Sequence, residues 1–191
     1  MTICSFIGSH DVYDKDIYSR VHTAVNNIIE ENDKVDFLFY CINPFISICL
    51  RAVLETRSSY PQKVSITLVL NESDYEGFKS QNSDNPPYCM VDKVILLSAP
   101  DSKEEDPIRF NKKVQRWIIR NSTHLVCYLY RQIYTEKNQL LDYAKRKSVS
   151  IIDLTDKSTE QAICKDIELL PEREQGFVVL WNCKSFTNIC G

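Results

Sequence analysis

Glycine is what this chain lacks most: four residues in 191. Phosphate-cradling loops depend on glycine, because the backbone must come close to the ligand and adopt angles that side chains resist. Neither G-x-G-x-x-G nor G-x-x-x-x-G-K-[ST] occurs. A standard dinucleotide fingerprint and a P-loop are therefore excluded. Histidine is also scarce, with three residues far apart. The eight cysteines (Cys4, Cys41, Cys49, Cys89, Cys127, Cys164, Cys183, Cys190) include no C-x-x-C pair. Zinc needs clustered ligands, so no metal site is expected, and no cofactor either. No serine sits in G-x-S-x-G, which removes the nucleophile elbow of serine hydrolases. The most apolar window, residues 37–50, is too short to span a bilayer and is interrupted by Asn43-Pro44. Met1 leads straight into a strand-like run, without the basic region and apolar stretch of a secretory signal. A cytoplasmic protein without a membrane partner is the expectation.

What is present reads as one globular unit. Hydrophobic residues make up 43% and charged residues 26%, enough to bury a sizeable core. The net charge of −3 gives no general attraction to nucleic acid, which is not an expected partner beyond a local patch. Cys4, Cys41, Cys49 and Cys127 lie in or beside apolar runs and read as buried reduced thiols.

Along the chain, apolar runs alternate with helical periodicity. Residues 2–7 (TICSFI) form a first strand, ended by Gly8. Ile17, Val21, Ala24, Val25, Ile28 and Ile29 recur at helical spacing, with Asp14 or Asp16 able to cap the start and Asn32 the end. Residues 35–41 are a second strand, and Asn43-Pro44 opens a second helix to about residue 58. Residues 63–70 are a third strand. Residues 71–92, rich in turn formers, are a long loop of the kind that forms lids. Residues 93–97 read as a short buried strand, and 98–106 as an acidic loop. Phe110, Val114, Trp117 and Ile118 mark a third helix, residues 124–130 a fifth strand, Leu140, Leu141 and Ala144 a fourth helix, and 149–154 a sixth strand. A last helix near 159–170 and a strand at 177–181 complete the pattern. Alternating strands and helices, with continuous apolar strands, predict an α/β protein: a three-layer Rossmann-like fold with a mainly parallel sheet. Residues 1–155 form the main domain, and 156–191 a helix-and-strand extension packed on it.

In such a sheet, ligands bind beyond the carboxyl ends of the strands. Gly8-Ser9-His10-Asp11 is the best small-ligand turn: Gly8 admits a close approach, Ser9 can donate to a phosphate, and His10 and Asp11 are acid–base groups. A plain strand-ending turn accounts for the same residues. Asn43-Pro44 is an ordinary helix start, with proline lacking the N–H that a phosphate would use. Ser47 has no base nearby in sequence. Arg109, Lys112, Lys113, Arg116 and Arg120 give the third helix a basic side that can meet phosphates, but a solvated face is the favoured reading, and Glu104, Glu105 and Asp106 just before the helix blunt its field. Tyr128, Tyr130 and Tyr134 can offer an aromatic surface near a strand end, yet tyrosine fits strands for packing reasons alone. His22 and His124 read as structural.

The order of these segments resembles the SLOG superfamily, the Rossmann-like group that includes the lonely-guy phosphoribohydrolases and the DNA-processing protein A domain, and more narrowly small bacterial SLOG proteins of Firmicutes type. The likeness covers about residues 2–155. Phe6-Ile7-Gly8-Ser9-His10-Asp11 is similar to that group's F-x-G-H-R-D. Arg51-Ala52-Val53-Leu54 matches its R-x-V-L, with Tyr60-Pro61 on its later Y-P. Trp117 and Ser122 match a W-x-x-x-x-S segment, and Ala144-Lys145 its A-K before a strand. The departures fall at the site. Cys41 and Pro44 stand where turn glycines belong, Ser47 on an aspartate, Ser9 on the G-H-R histidine, and Thr135 and Glu136 near the paired glycines. The P-G-G-x-G-T-x-x-E motif is absent. The resemblance implies a SLOG-like module that has lost its phosphate cradle. It is expected to be non-enzymatic and to bind a nucleotide-derived ligand or a protein partner, with Gly8, Ser9, His10, Asp11, Asn43, Ser47 and Arg51 as candidate ligand-binding residues. One alternative is a hydrolase of nucleotide N-glycosidic bonds, with His10, Asp11 and Glu55 as its polar participants. Another is a structural role as a homo-oligomer.

Overall fold

The computed structural model describes residues 1–9, 12, 14–40, 43–71, 75, 90–97, 107–130 and 135–156. The elements are β1 (Thr2–Gly8), α1 (Ile17–Glu30), β2 (Val35–Phe39), α2 (Pro44–Ser59), β3 (Val64–Asn71), β4 (Lys93–Leu97), α3 (Pro107–Arg120), β5 (His124–Tyr128), α4 (Thr135–Arg146) and β6 (Ser150–Asp153). All six strands are parallel, in the order β4-β3-β2-β1-β5-β6. The expected three-layer Rossmann-like α/β fold is therefore present. The expected helix and strand at 159–170 and 177–181, most of the 71–92 loop and the acidic loop at 98–106 lie outside the described residues. No described helix is long and apolar enough to cross a membrane.

The strand order sets which face of the sheet each helix covers. From β1 to β4 the chain adds strands in one direction. It then returns to place β5 on the other side of β1. Right-handed crossovers put α1 and α2 on one face of the sheet, and α3 and α4 on the other. The packing agrees. Val21, Val25, Ile28 and Ile29 of α1 join Ile46, Cys49 and Val53 of α2 over Cys4, Phe6, Phe37 and Phe39. On the opposite face Ile119 and Leu141 cover Leu125 and Cys127, while Val114 and Ile118 cover Leu38 and Val69.

The termini of α1 use the polar residues that flank it. Asp14, not Asp16, is the working acid: its carboxylate accepts from the Asp16 N–H at 2.8 Å and pairs with Arg20, while Asp16 occupies the N-cap without a side-chain bond. Asn32 donates to the Ile28 carbonyl at 2.7 Å and closes the far end. Every residue of β2 is buried, including Asp36, whose carboxylate accepts from Ser65 Oγ at 3.1 Å and Thr67 Oγ1 at 2.8 Å. A buried carboxylate is tolerated because its lone pairs are occupied. Cys4, Cys49 and Cys127 are buried free thiols, as expected, while Cys41 lies outside the described residues; burial pushes the Cys4 and Cys49 thiols up and keeps them protonated.

Two expectations need correction. Residues 93–97 are not a buried strand: among the described residues β4 is an edge, paired only with β3, and Leu96 is 43% exposed. An apolar run does not distinguish a central strand from an edge. The second strand ends at Phe39 rather than 41, because the ladders stop at Ser5–Leu38 and Phe39–Leu68 and Tyr40 has already left them.

The two kinds of apolar position predict different costs on truncation. Ile29→Ala, at a fully buried site, should lower the unfolding free energy by about 2–5 kcal/mol. Leu96→Ala should cost roughly 1 kcal/mol or less, because much of that side chain already meets water. Urea denaturation of both variants checks the assignment, and equal losses would contradict it.

Candidate functional site

The strand order reverses between β1 and β5, so their carboxyl ends mark the topological switch point where a ligand crevice is expected. Gly8 closes β1 and pairs with Tyr128 of β5. Ser9 follows, fully buried: its N–H donates to the Tyr128 carbonyl at 2.8 Å, and its Oγ accepts from the Tyr130 N–H at 3.4 Å. The Ser9 hydroxyl thus ties the end of β1 to the chain leaving β5.

The first turn of α2 sits over this junction. Asn43 is its N-cap, with Oδ1 accepting from the Ile46 N–H at 2.9 Å, and Pro44 opens the helix. Phe45 then points into the crevice. A Cβ added to Gly8 would lie 2.0 Å from Phe45 Cδ1 and 2.3 Å from Cγ. Gly8 does not have a positive φ, so its lack of a side chain, rather than its backbone freedom, is what the site uses. The vacancy admits a ring of the same chain. Phe45 stacks on Tyr128 with centroids 5.5 Å apart, and Tyr128 meets Tyr130 edge-on at 5.2 Å, with their hydroxyls hydrogen-bonded. All three rings are at most 1% exposed. Tyr128 and Tyr130 are therefore buried packing groups, the second of the two readings of these residues, and not an exposed aromatic surface. Val126, Tyr128 and Tyr130 alternate on the inner face of β5 and just beyond it, and that spacing of two was the available signal. Tyr134 lies outside the described residues.

A small cavity remains beside this plug, bounded by Gly8, Tyr40, Asn43, Ile46 and Gln115. It holds about 40 Å³. A water needs roughly 10–15 Å³ of such space, whereas a small-molecule site runs to about 300–1,000 Å³. A nucleotide does not fit there while Phe45 covers Gly8.

The other candidate residues are divided. Gly8, Ser9 and Asn43 come together; His10 and Asp11 lie outside the described residues. Ser47 is exposed in the first turn of α2. Arg51 is further along the helix, about 10 Å from Pro44 at 1.5 Å per residue. Its side chain is mostly exposed, bonded to Glu55 at 3.0 Å and lying over the Tyr18 ring at 5.0 Å. Glu55 also accepts from the Tyr18 hydroxyl, so Tyr18, Arg51 and Glu55 clasp α1 to α2 on the surface. The Tyr18 hydroxyl and the Arg51 guanidinium hold the Glu55 carboxyl below its ordinary range, and the same bonds push Tyr18 and Arg51 up. Glu55 lies about 16 Å along the axis from Pro44, too far to share a reacting atom with Gly8. His22 and His124 bond to Asn26 and Thr123, consistent with structural roles. Among the described residues no group of three His, Cys, Asp or Glu could hold a metal ion.

No protein-family model matches the chain, and no curated protein matches it.

The contact between Gly8 and Phe45 predicts a coupled pair. Gly8→Ala should destabilise by about 1–3 kcal/mol through overpacking. Phe45→Ala should cost roughly 3–5 kcal/mol through the cavity it leaves. Adding Gly8→Ala to Phe45→Ala should cost almost nothing more, because the clash is gone. A denaturation double-mutant cycle measures this; additive losses would show that Phe45 is not what excludes a side chain at position 8.

Proposed function

We propose that this chain is a SLOG-like Rossmann module that acts by binding rather than by catalysis, with a protein partner favoured over a nucleotide-derived ligand. The observation that supports it is the Phe45 ring seated on Gly8, with Tyr128 and Tyr130 behind it. Pro44 supplies no N–H at the helix start, and Asn43 already occupies the Ile46 N–H. Of the first three helical positions, only Phe45 is left to offer its N–H to a phosphate over β1. A nucleotide-derived ligand remains a second reading, because Gly8 and Asn43 both border the residual cavity. It requires the Phe45 ring to withdraw. Hydrolysis of an N-glycosidic bond finds less support, because Glu55 is held on the outer surface by Tyr18 and Arg51.

Thermal melting in the presence of nucleoside mono-, di- and triphosphates and ADP-ribose separates these readings. A ligand at 100 times its Kd adds about 2.7 kcal/mol, which raises the midpoint of a domain this size by roughly 5–10 °C. The expected outcome is an unmoved midpoint across the panel, with no free base or ribose phosphate released from nucleoside monophosphates at high protein concentration. A shift in the wild type would replace the protein-partner reading with the nucleotide one, and base release would overturn the non-enzymatic reading itself.

A further inference from the structure

Charge is not spread evenly along the chain. Residues 107–147 carry ten Lys and Arg against two Asp and Glu, a net of +8 in a protein whose total is −3. The remainder therefore carries −11. This basic segment is α3, β5 and α4, and its two helices pack side by side on one face of the sheet. Both run opposite to the strands, so their last turns lie near the amino ends of the strands, away from Gly8 and Phe45. Ser122, just after α3, bonds to Ser5, and Thr123 bonds to Ile3, which fixes that placement.

The exposed cations of the two helices converge there. Arg116 of α3 lies over the Tyr143 ring of α4 at 6.0 Å, and Lys147, just past α4, over the same ring at 5.8 Å. Arg120 and Arg146 flank them, both exposed. Cations in a last turn complement the helix dipole, but Arg116 is a full turn further back and owes nothing to that effect. Asp142 of α4 is 3.8 Å from Lys145.

Among the described residues this surface shows no exposed large apolar side chain with which to enter a bilayer. Among the described residues the exposed large hydrophobics are Met1, Met90 and Leu96, none on α3 or α4. Tyr143 is already engaged by two cations, which compete with an unpaired base for its ring. What is left is a rigid two-helix array of positive charge suited to regularly spaced phosphates. We propose that this surface binds double-stranded nucleic acid through its phosphate backbone, without reading its sequence. The proposal uses the outward side of α3 and α4, not the crevice at Gly8, and stands independently of what binds there.

Fluorescence anisotropy of the full chain with a labelled duplex of about 24 base pairs tests it, with salt raised from about 50 to 200 mM. The wild type should bind, and log Kobs should fall linearly with log salt, by about 0.9 per phosphate contact. Arg120→Gln and Arg146→Gln sit at exposed helix ends and leave the core intact. Each should reduce the slope by about 0.9 and weaken binding about 8-fold near 0.1 M salt. The triple reversal R116E/R120E/K147E should abolish binding. Lys34→Glu, exposed before β2 and outside the basic segment, should change neither affinity nor slope. No binding at low salt, equal weakening by Lys34→Glu, tighter binding of single strands than duplex, or binding to anionic lipid vesicles without duplex binding would each overturn the proposal. If the triple variant does not fold, the two single glutamine variants decide the matter.

Discussion

The ring of Phe45 resting on Gly8 is the contact on which this end of the molecule depends. Three elements meet there. β1 ends at Gly8, α2 begins one residue before Phe45, and β5 supplies Tyr128 from the other side of the switch point. In an open parallel sheet the loops after two neighbouring strands part at this point and leave a crevice. Here the missing side chain at position 8 lets the helix's own aromatic residue close it. The contact also fixes the neighbours: Ser9 bridges to Tyr130, and Asn43 must cap α2 for Phe45 to be aimed inward. A glycine that elsewhere admits a ligand backbone serves here as a socket for a side chain.

The rest of the molecule divides by face and by end. One face is a single apolar core under α1 and α2, with the Tyr18, Arg51 and Glu55 clasp on its outside. The other carries two smaller cores, a buried Asp36 held by Ser65 and Thr67, and a cationic outer surface. The aromatic plug lies at the carboxyl ends of β1 and β5, and the cations lie on the outward side of α3 and α4, so the two candidate binding features use different surfaces.

Much of this architecture is legible along the chain. The helical spacing of Ile17, Val21, Ala24, Val25, Ile28 and Ile29 corresponds to the buried stripe of α1. The apolar runs at β1, β2, β3 and β5 announce strands covered on both faces, and Asn43-Pro44 announces a capped helix start. The site was less legible. Gly8 is conspicuous as one of four glycines, yet nothing local says whether its open side receives a ligand or a ring. Phe45 looks like one more apolar residue of α2, and Tyr128 and Tyr130 fit a strand surface as readily as a strand interior. Arg51 carries part of the SLOG resemblance, but its partner is Glu55, one helical turn away on the same exposed side.

Periodicity and composition determined the class of fold, the positions of most elements and the absence of glycine-rich phosphate motifs, because these depend on residue type and spacing over a few turns. Strand order, the edge position of β4, the closure of the crevice by Phe45 and the convergence of Arg116 with Lys147 were decided only by tertiary structure. Each joins residues about thirty or more positions apart, and whether such residues meet is set by how the crossovers stack the helices on the sheet, which no local pattern encodes.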